Sequence, residues 1–267
     1  MILTAAQLNA PRISRLTGRA WRWAWTLLED EIFHLIRLCA DTGYHPKIWR
    51  TSIAVALQKP NQDYSKPQSY CLVQLLEVLG KTLERIQARR LSYIAAKHHL
   101  IPSSQYGGIA GRLAQDTVLS LVHDIEAAWN HNRTTTMLTF DITGYYDFVL
   151  HSHLLNTLRE FHIPLPITKW VHSFVQDCQA SICLDRKREL LKLVRSGVPQ
   201  GLCASLILAA YFMALLGEAI AKQTMDKLKS SPELSSLISS GKASIAPLTL
   251  YVDDRSISVS WTIPATG

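Results

Sequence analysis

Apolar and polar positions alternate along residues 248–261. Leu248, Leu250 and Val252 fall on one side, and Thr249, Tyr251 and Asp253 on the other. After Asp254 the alternation resumes, with Ile257, Val259 and Trp261 set against Ser256, Ser258 and Ser260. Two period-two runs meeting at an Asp-Asp corner predict a β-hairpin with one buried face. A second run, Thr136 to Ile142, puts Leu138, Phe140 and Ile142 on one face and Met137, Thr139 and Asp141 on the other. This predicts a half-buried strand with Asp141 on its polar side at the C-terminal end, broken by Gly144. Helical spacing then takes over at Leu154, Leu155 and Leu158.

Other segments carry the helical period. Trp21 to Ala40 predicts an amphipathic helix with Trp21, Trp25, Leu28, Ile32, Leu35 and Cys39 near one face, ended by Gly43 and Pro46. Leu79, Leu83, Ile86 and Ile94 oppose Lys81, Arg85, Arg89, Arg90 and Lys97 on a second helix. Leu202 to Ala221 is mostly apolar, and Lys222 to Ala246 reads as a helix and solvent loop. Residues 1–20 are polar and irregular.

The candidate chemistry lies in the carboxylates. Adjacent Asp253 and Asp254 repel each other unless solvated or bridged by a cation. Asp141 can join them at one metal if its strand neighbours the hairpin in a sheet, and oxygen-only ligands favour Mg²⁺ or Mn²⁺ over zinc. Taken singly, each acid also has an ordinary reading, as a turn residue or a helix cap. Between the two strands lies Ser196-Gly197-Val198-Pro199-Gln200-Gly201. Its proline fixes φ, its glycines allow close approach, and the Gln200 amide can both donate and accept.

Composition narrows the partners. Against 21 acidic residues there are 28 basic ones, a net charge of +7 that suits a polyanion. The basic residues gather in Lys81–Lys97 and Arg186–Arg195. Five cysteines without CxxC pairing argue against a disulfide framework or a zinc site, and fit an intracellular location, nuclear or cytoplasmic. Leu206–Ala221 is short for a membrane span, and no secretion signal is visible.

The order of the pieces is more specific than any of them. A strand bearing Asp141, then Gly-Val-Pro-Gln-Gly followed by a helix, then Tyr251-Val252-Asp253-Asp254 resembles motifs A, B and C of the reverse transcriptase palm. Upstream, Trp49 to Pro60, Ser69 to Leu76 with Gly80 to Arg85, and Gln105-Tyr106-Gly107-Gly108 with Gly111-Arg112 resemble further blocks of that family. The chain looks most like the enzymes of non-LTR (LINE-type) retrotransposons, particularly fungal ones.

The resemblance implies an α+β polymerase right-hand fold: fingers and palm, with an antiparallel sheet packed on helices and the thumb absent. It implies an N-terminal helical extension at 1–46, fingers at 47–135 and a palm at 136–267. The implied activity is RNA-directed DNA polymerase, with an RNA template, a DNA primer and deoxynucleoside triphosphates as partners. Asp141, Asp253 and Asp254 would hold two Mg²⁺ (or Mn²⁺) ions. Lys59, the backbone at Ile142, the aromatic gate Tyr146, Gln200 and Gly201 would meet the incoming nucleotide.

Departures from the family pattern point to a weakened copy. Cys71 stands where an Arg usually grips the triphosphate, and it lacks that fork of donors. Leu202 and Leu113 stand where Ser is usual, Leu206 replaces a Pro, and Arg255 follows the Asp pair where a small residue is common. With the chain stopping soon after the hairpin, the expectation is a weakened or inactive polymerase. The alternative is a catalytically dead, nucleic-acid-binding remnant of a retrotransposon polymerase.

Overall fold

The computed structural model describes residues 13–14, 16–109, 111–142, 144–184, 187–245, 249–251 and 254–262. The irregular stretch expected at 1–20 falls mostly outside them, as does Arg186. The chain divides into two packing units, residues 1–91 with 146–205 and residues 92–145 with 206–267. These bounds interleave, whereas the expected fingers and palm were contiguous.

In the first unit, α1 (Gly18–Thr42) starts where the Thr17 side chain accepts the Ala20 amide and stops at Gly43, which takes φ 70°. A side chain at Gly43 would also collide with the Pro166 carbonyl and the Lys169 Cβ. Only the C-terminal half of α1 buries a stripe, made of Ile32, Ile36, Cys39 and Ala40. Leu28 and Leu35, expected on the buried face, are exposed. A 3₁₀ turn, Lys47–Arg50, leads into β1 (Thr51–Gln58). β1 pairs antiparallel with β2 (Tyr70–Leu75) and parallel with β4 (Cys178–Leu184). Short strands β5 (Lys187–Arg188) and β6 (Lys192–Val194) complete the sheet on β4.

Helices α4 (His151–Glu160) and α5 (Leu165–Val175) supply much of that unit's core. Leu154, Leu155 and Leu158 are buried, as their spacing required, and Trp170 and Phe174 stack at 4.9 Å. Helix α2 (Val78–His98) buries Leu79, Leu83, Ala88 and Leu91, and leaves Arg89, Arg90 and Lys97 exposed.

In the second unit, β9 (Asp254–Thr262) is the shared strand. It pairs antiparallel with β3 (Arg133–Asp141) on one side, and with β7 (Ala243–Ile245) and β8 (Thr249–Tyr251) on the other. β3 and β8 are therefore parallel with β9 between them, a split βαβ arrangement. Helix α3 (Ala114–Asn130) packs against β3. The prediction of a half-buried β3 needs correction: Leu138 is 64% exposed and Met137 43%. Alternation assigns residues to a face, but a covering layer must exist before that face is buried. Helix α6 (Cys203–Ser230) outruns its apolar stretch: it continues through Gly217, which a helix interior tolerates at modest cost, and no proline intervenes before Pro232, which opens α7 (Pro232–Ser239).

Among the described residues no helix is long and apolar enough to cross a membrane.

Candidate active site

Strand pairing in the second unit joins the two acidic segments. The β3–β9 register sets Asp141 directly opposite Asp254, and the β8–β9 register sets Tyr251 opposite Asp254 from the other side. Asp254 thus opens β9 between two neighbours. Asp253 lies outside the described residues. Asp141 is exposed at the end of its strand, and Ile142, which follows it, is half-buried. Directly opposed acids in an antiparallel ladder repel and favour a cation between them. Among the described residues no group of three metal-ligating side chains forms. By chemistry, carboxylate oxygens such as those of Asp141 and Asp254 suit a hard divalent cation better than zinc.

In the first unit, the loop carrying Gln200 and Gly201 is stitched to the segment carrying Tyr146. The Val198 amide donates to the Tyr146 carbonyl at 2.9 Å, and the Gly197 amide to the Val149 carbonyl at 3.0 Å. The His151 Nε2 meets the Gly197 carbonyl at 2.7 Å. Gly197 must be glycine: its φ is 83°, and a Cβ there would lie 2.8 Å from the Tyr146 oxygen and 2.9 Å from Asp147. Val198 and Pro199 are buried, while Gln200 and Gly201 are exposed, so the loop is fixed at its root and open at its tip. Lys59 follows β1, half-buried, with its amide donating to the Ser69 carbonyl at 2.8 Å.

A buried acid fixes the far end of this loop. Glu84 of α2 is 2% exposed, and its Oε1 accepts the Ala204 amide at 2.9 Å, in the first turn of α6. Desolvation pushes its pKa up from the usual 4.5 to about 7, opposed by the Ala204 amide, the Lys81 and Arg85 charges and the Cys203 amide. This carboxylate satisfies one of the orphan N–H groups that begin a helix. Its signal in the sequence is an acid at helical spacing with Ala88, Leu91 and Ala95, on a buried stripe. No site role was expected for it.

Several of the departures lie among the described residues, with Leu202 buried and Leu206 exposed. Cys71 lies half-buried on β2, opposite Leu57. Leu113, with extended backbone, opens α3 as its N-cap without offering a side-chain acceptor, although Asp116 accepts the Leu113 amide at 2.6 Å.

Comparison with known proteins follows the same lines. The family described as "Reverse transcriptase (RNA-dependent DNA polymerase)" matches residues 57–260. The chain is 26% identical over 171 residues to the "Probable RNA-directed DNA polymerase from transposon BS" of Drosophila melanogaster, covering 64% of this chain and 19% of the relative. It is 26% identical over 197 residues to the "RNA-directed DNA polymerase from mobile element jockey" of the same fly, covering 72% of this chain and 21% of the relative. The "Retrovirus-related Pol polyprotein from type-1 retrotransposable element R1" of Bradysia coprophila is 25% identical over 140 residues, covering 52% and 14%. The chain spans about a fifth or less of the length of these relatives. They are non-LTR elements of flies, and a fungal affinity is not supported. With the matched stretch running from β1 into β9, the chain belongs to the reverse transcriptase (RNA-dependent DNA polymerase) family.

Proposed function

We propose that this chain is the polymerase domain of a non-LTR retrotransposon, adding deoxynucleotides to a DNA primer on an RNA template. The observation that carries the reading is the β3–β9 register, which sets Asp141 opposite Asp254, the residue that follows Asp253 in the sequence. Asp141, Asp253 and Asp254 are the residues that would hold two Mg²⁺ (or Mn²⁺) ions. Such ions supply activation of the primer 3′-hydroxyl and charge neutralisation of the triphosphate.

The remaining roles belong to the chain itself. Tyr146 stacks beneath the sugar and excludes a 2′-hydroxyl. The Gln200 amide and the bare backbone of Gly201 line the nucleotide site from a loop whose root is already held, so little ordering entropy remains to be lost on binding. The Ile142 backbone faces the triphosphate, and Lys59 meets a phosphate. By role, residues 1–46 form an extension, 47–135 the fingers and 136–267 the palm, a division that differs from the two packing units.

The test is primer extension on an RNA template with a DNA primer, Mg²⁺ and all four deoxynucleotides, with Asp253→Ala as control. Incorporation that vanishes in the control supports the reading. A second reading, a nucleic-acid-binding remnant without turnover, is favoured by Cys71, which leaves the triphosphate without its usual Arg. Folded protein that binds RNA but incorporates nothing would select it. Activity gained on Cys71→Arg would trace the loss to that residue.

A further inference from the structure

The first unit carries a second concave feature that none of these roles uses. A cleft of about 880 Å³ opens between the end of α1, the Lys47–Arg50 turn, α4 and α5. Its charged lining is Lys47, Arg50, Arg159 and Lys169 against the single acid Asp177, with His172 beside them. Lys47, Arg159, Lys169 and His172 are exposed, and Arg159 is held in place by the Asn156 Oδ1 at 2.9 Å. Asp41, just before the cleft, is engaged by Arg37 at 3.5 Å on the exposed side of α1.

Arg50 forms the floor. It is 6% exposed, and each of its three nitrogens donates to a neutral acceptor: Nε to the His45 carbonyl at 2.7 Å, Nη1 to the Gln176 carbonyl at 3.3 Å and Nη2 to the Ser173 hydroxyl at 2.7 Å. No described carboxylate pairs with it. A buried cation without a counter-ion is costly, and its field is felt most where solvent is thinnest. That field already helps hold the neighbouring His45 neutral. The Tyr44 ring lies beneath the guanidinium at 5.4 Å and is itself 46% exposed at the rim. Exposed cations over a buried one, with an aromatic edge and almost no competing acid, form a receptor for phosphate.

We infer that this cleft is a docking site for the phosphodiester backbone of a nucleic-acid strand, built from none of the residues given a role above. The inference rests on the polymerase reading for its choice of a strand over a free polyphosphate, which shares the same chemistry. Lys47 and Lys169 meet phosphates as point charges, Arg159 adds a planar donor set, and Arg50 sets the potential without leaving its carbonyl and hydroxyl partners.

The test reads binding, so it works whether or not the chain polymerises. Labelled short unstructured RNA is titrated by fluorescence anisotropy at several salt concentrations. The proteins are wild type, Lys47→Glu/Lys169→Glu, and the equal-charge control Lys222→Glu/Lys227→Glu, whose sites are exposed on α6. All four substitutions are at exposed positions, and thermal melts check that each variant is folded. The cleft pair is expected to lose on the order of tenfold in affinity at low salt and to flatten the salt slope by about two, with the control near wild type. Equal losses in both pairs, or none in the cleft pair, would overturn the site. Inorganic tripolyphosphate serves as competitor. Displacement of RNA only at large molar excess fits a strand site. Tripolyphosphate binding that needs Lys47 and Lys169 while RNA binding does not would overturn the strand and leave a small-anion site.

Discussion

The Glu84 carboxylate on α2 accepts the amide of Ala204, which begins α6, at 2.9 Å, across 120 residues of sequence. This contact ties the Gly197–Gly201 loop to the core from below. It also makes stability depend on pH. The folded pKa of about 7 lies above the usual 4.5, because burial penalises the charged form. Between those values the folded state keeps a proton that the unfolded state releases. Stability is therefore full below about pH 4.5 and falls as pH rises through 7, by on the order of 3 kcal/mol. Glu84→Gln keeps an acceptor for Ala204 and should remove this alkaline fall in urea melts taken across pH. Glu84→Ala orphans the amide and should lose about 1–3 kcal/mol at every pH.

His45 works in the opposite direction. It accepts from Trp170 Nε1 at 3.3 Å and sits edge-on to Trp49, Trp170 and Phe174. Burial first, and the Arg50 charge second, hold its pKa down to about 3 from 6.5. The unfolded chain takes up a proton that the folded chain refuses, so stability drops as pH falls from 6.5 towards 3. With Glu84 this gives a stability plateau between about pH 4.5 and 6.5. His45→Gln should lower the whole curve through lost packing yet flatten its acid limb. A variant with the wild-type acid slope would clear His45 of the role.

Leu113→Ser is expected to stabilise the protein. Half of a capping box is in place, with Asp116 holding the Leu113 amide, and a serine hydroxyl would offer the Asp116 amide, which now donates only to the Leu113 carbonyl at 3.1 Å, a side-chain acceptor as well. The gain is about 1 kcal/mol, readable as a higher urea midpoint and slower amide exchange in the first turn of α3.

Gly197→Ala and Gly111→Ala form a matched pair. Both positions have φ above 80°, but Gly197 faces the Tyr146 and Asp147 backbone within 3 Å while Gly111 faces nothing within 4 Å. The Gly111 variant should lose about 1 kcal/mol from backbone strain alone. The Gly197 variant should lose clearly more and, in the polymerase reading, raise the nucleotide KM. Equal losses would mean that the loop can step away from Tyr146.

Mg²⁺ should raise the thermal midpoint of the wild-type protein and not that of Asp141→Asn. Ion binding to the folded state alone contributes about 1.4 kcal/mol at ten times the dissociation constant. An unchanged wild-type midpoint across millimolar Mg²⁺ would count against a metal at Asp141 in the free protein.

The acidic strands were legible because period-two alternation and turn residues are local signals. The opposition of Asp141 and Asp254 follows once β3 and β9 are neighbours, which motif order suggested. What stayed hidden was non-local. Nothing in Cys178–Leu184 announces a parallel partner, yet β4 joins β1. Leu138 alternates like a core residue and is exposed, because burial depends on what covers a face. Glu84 reads as one more charge on a basic helix, until a second helix start 120 residues later turns out to need its oxygen.

Strand β9 has one partner two residues away and another more than a hundred residues back. Contacts of such different span form at different times, since closing the long loop costs entropy before the ladder repays it. During synthesis, Asp141 emerges long before Asp254 and must wait for its opposite number. The nascent chain therefore carries Asp141 without its opposite acid while the intervening stretch of more than a hundred residues is made, and the two acids face each other only once β9 closes the ladder.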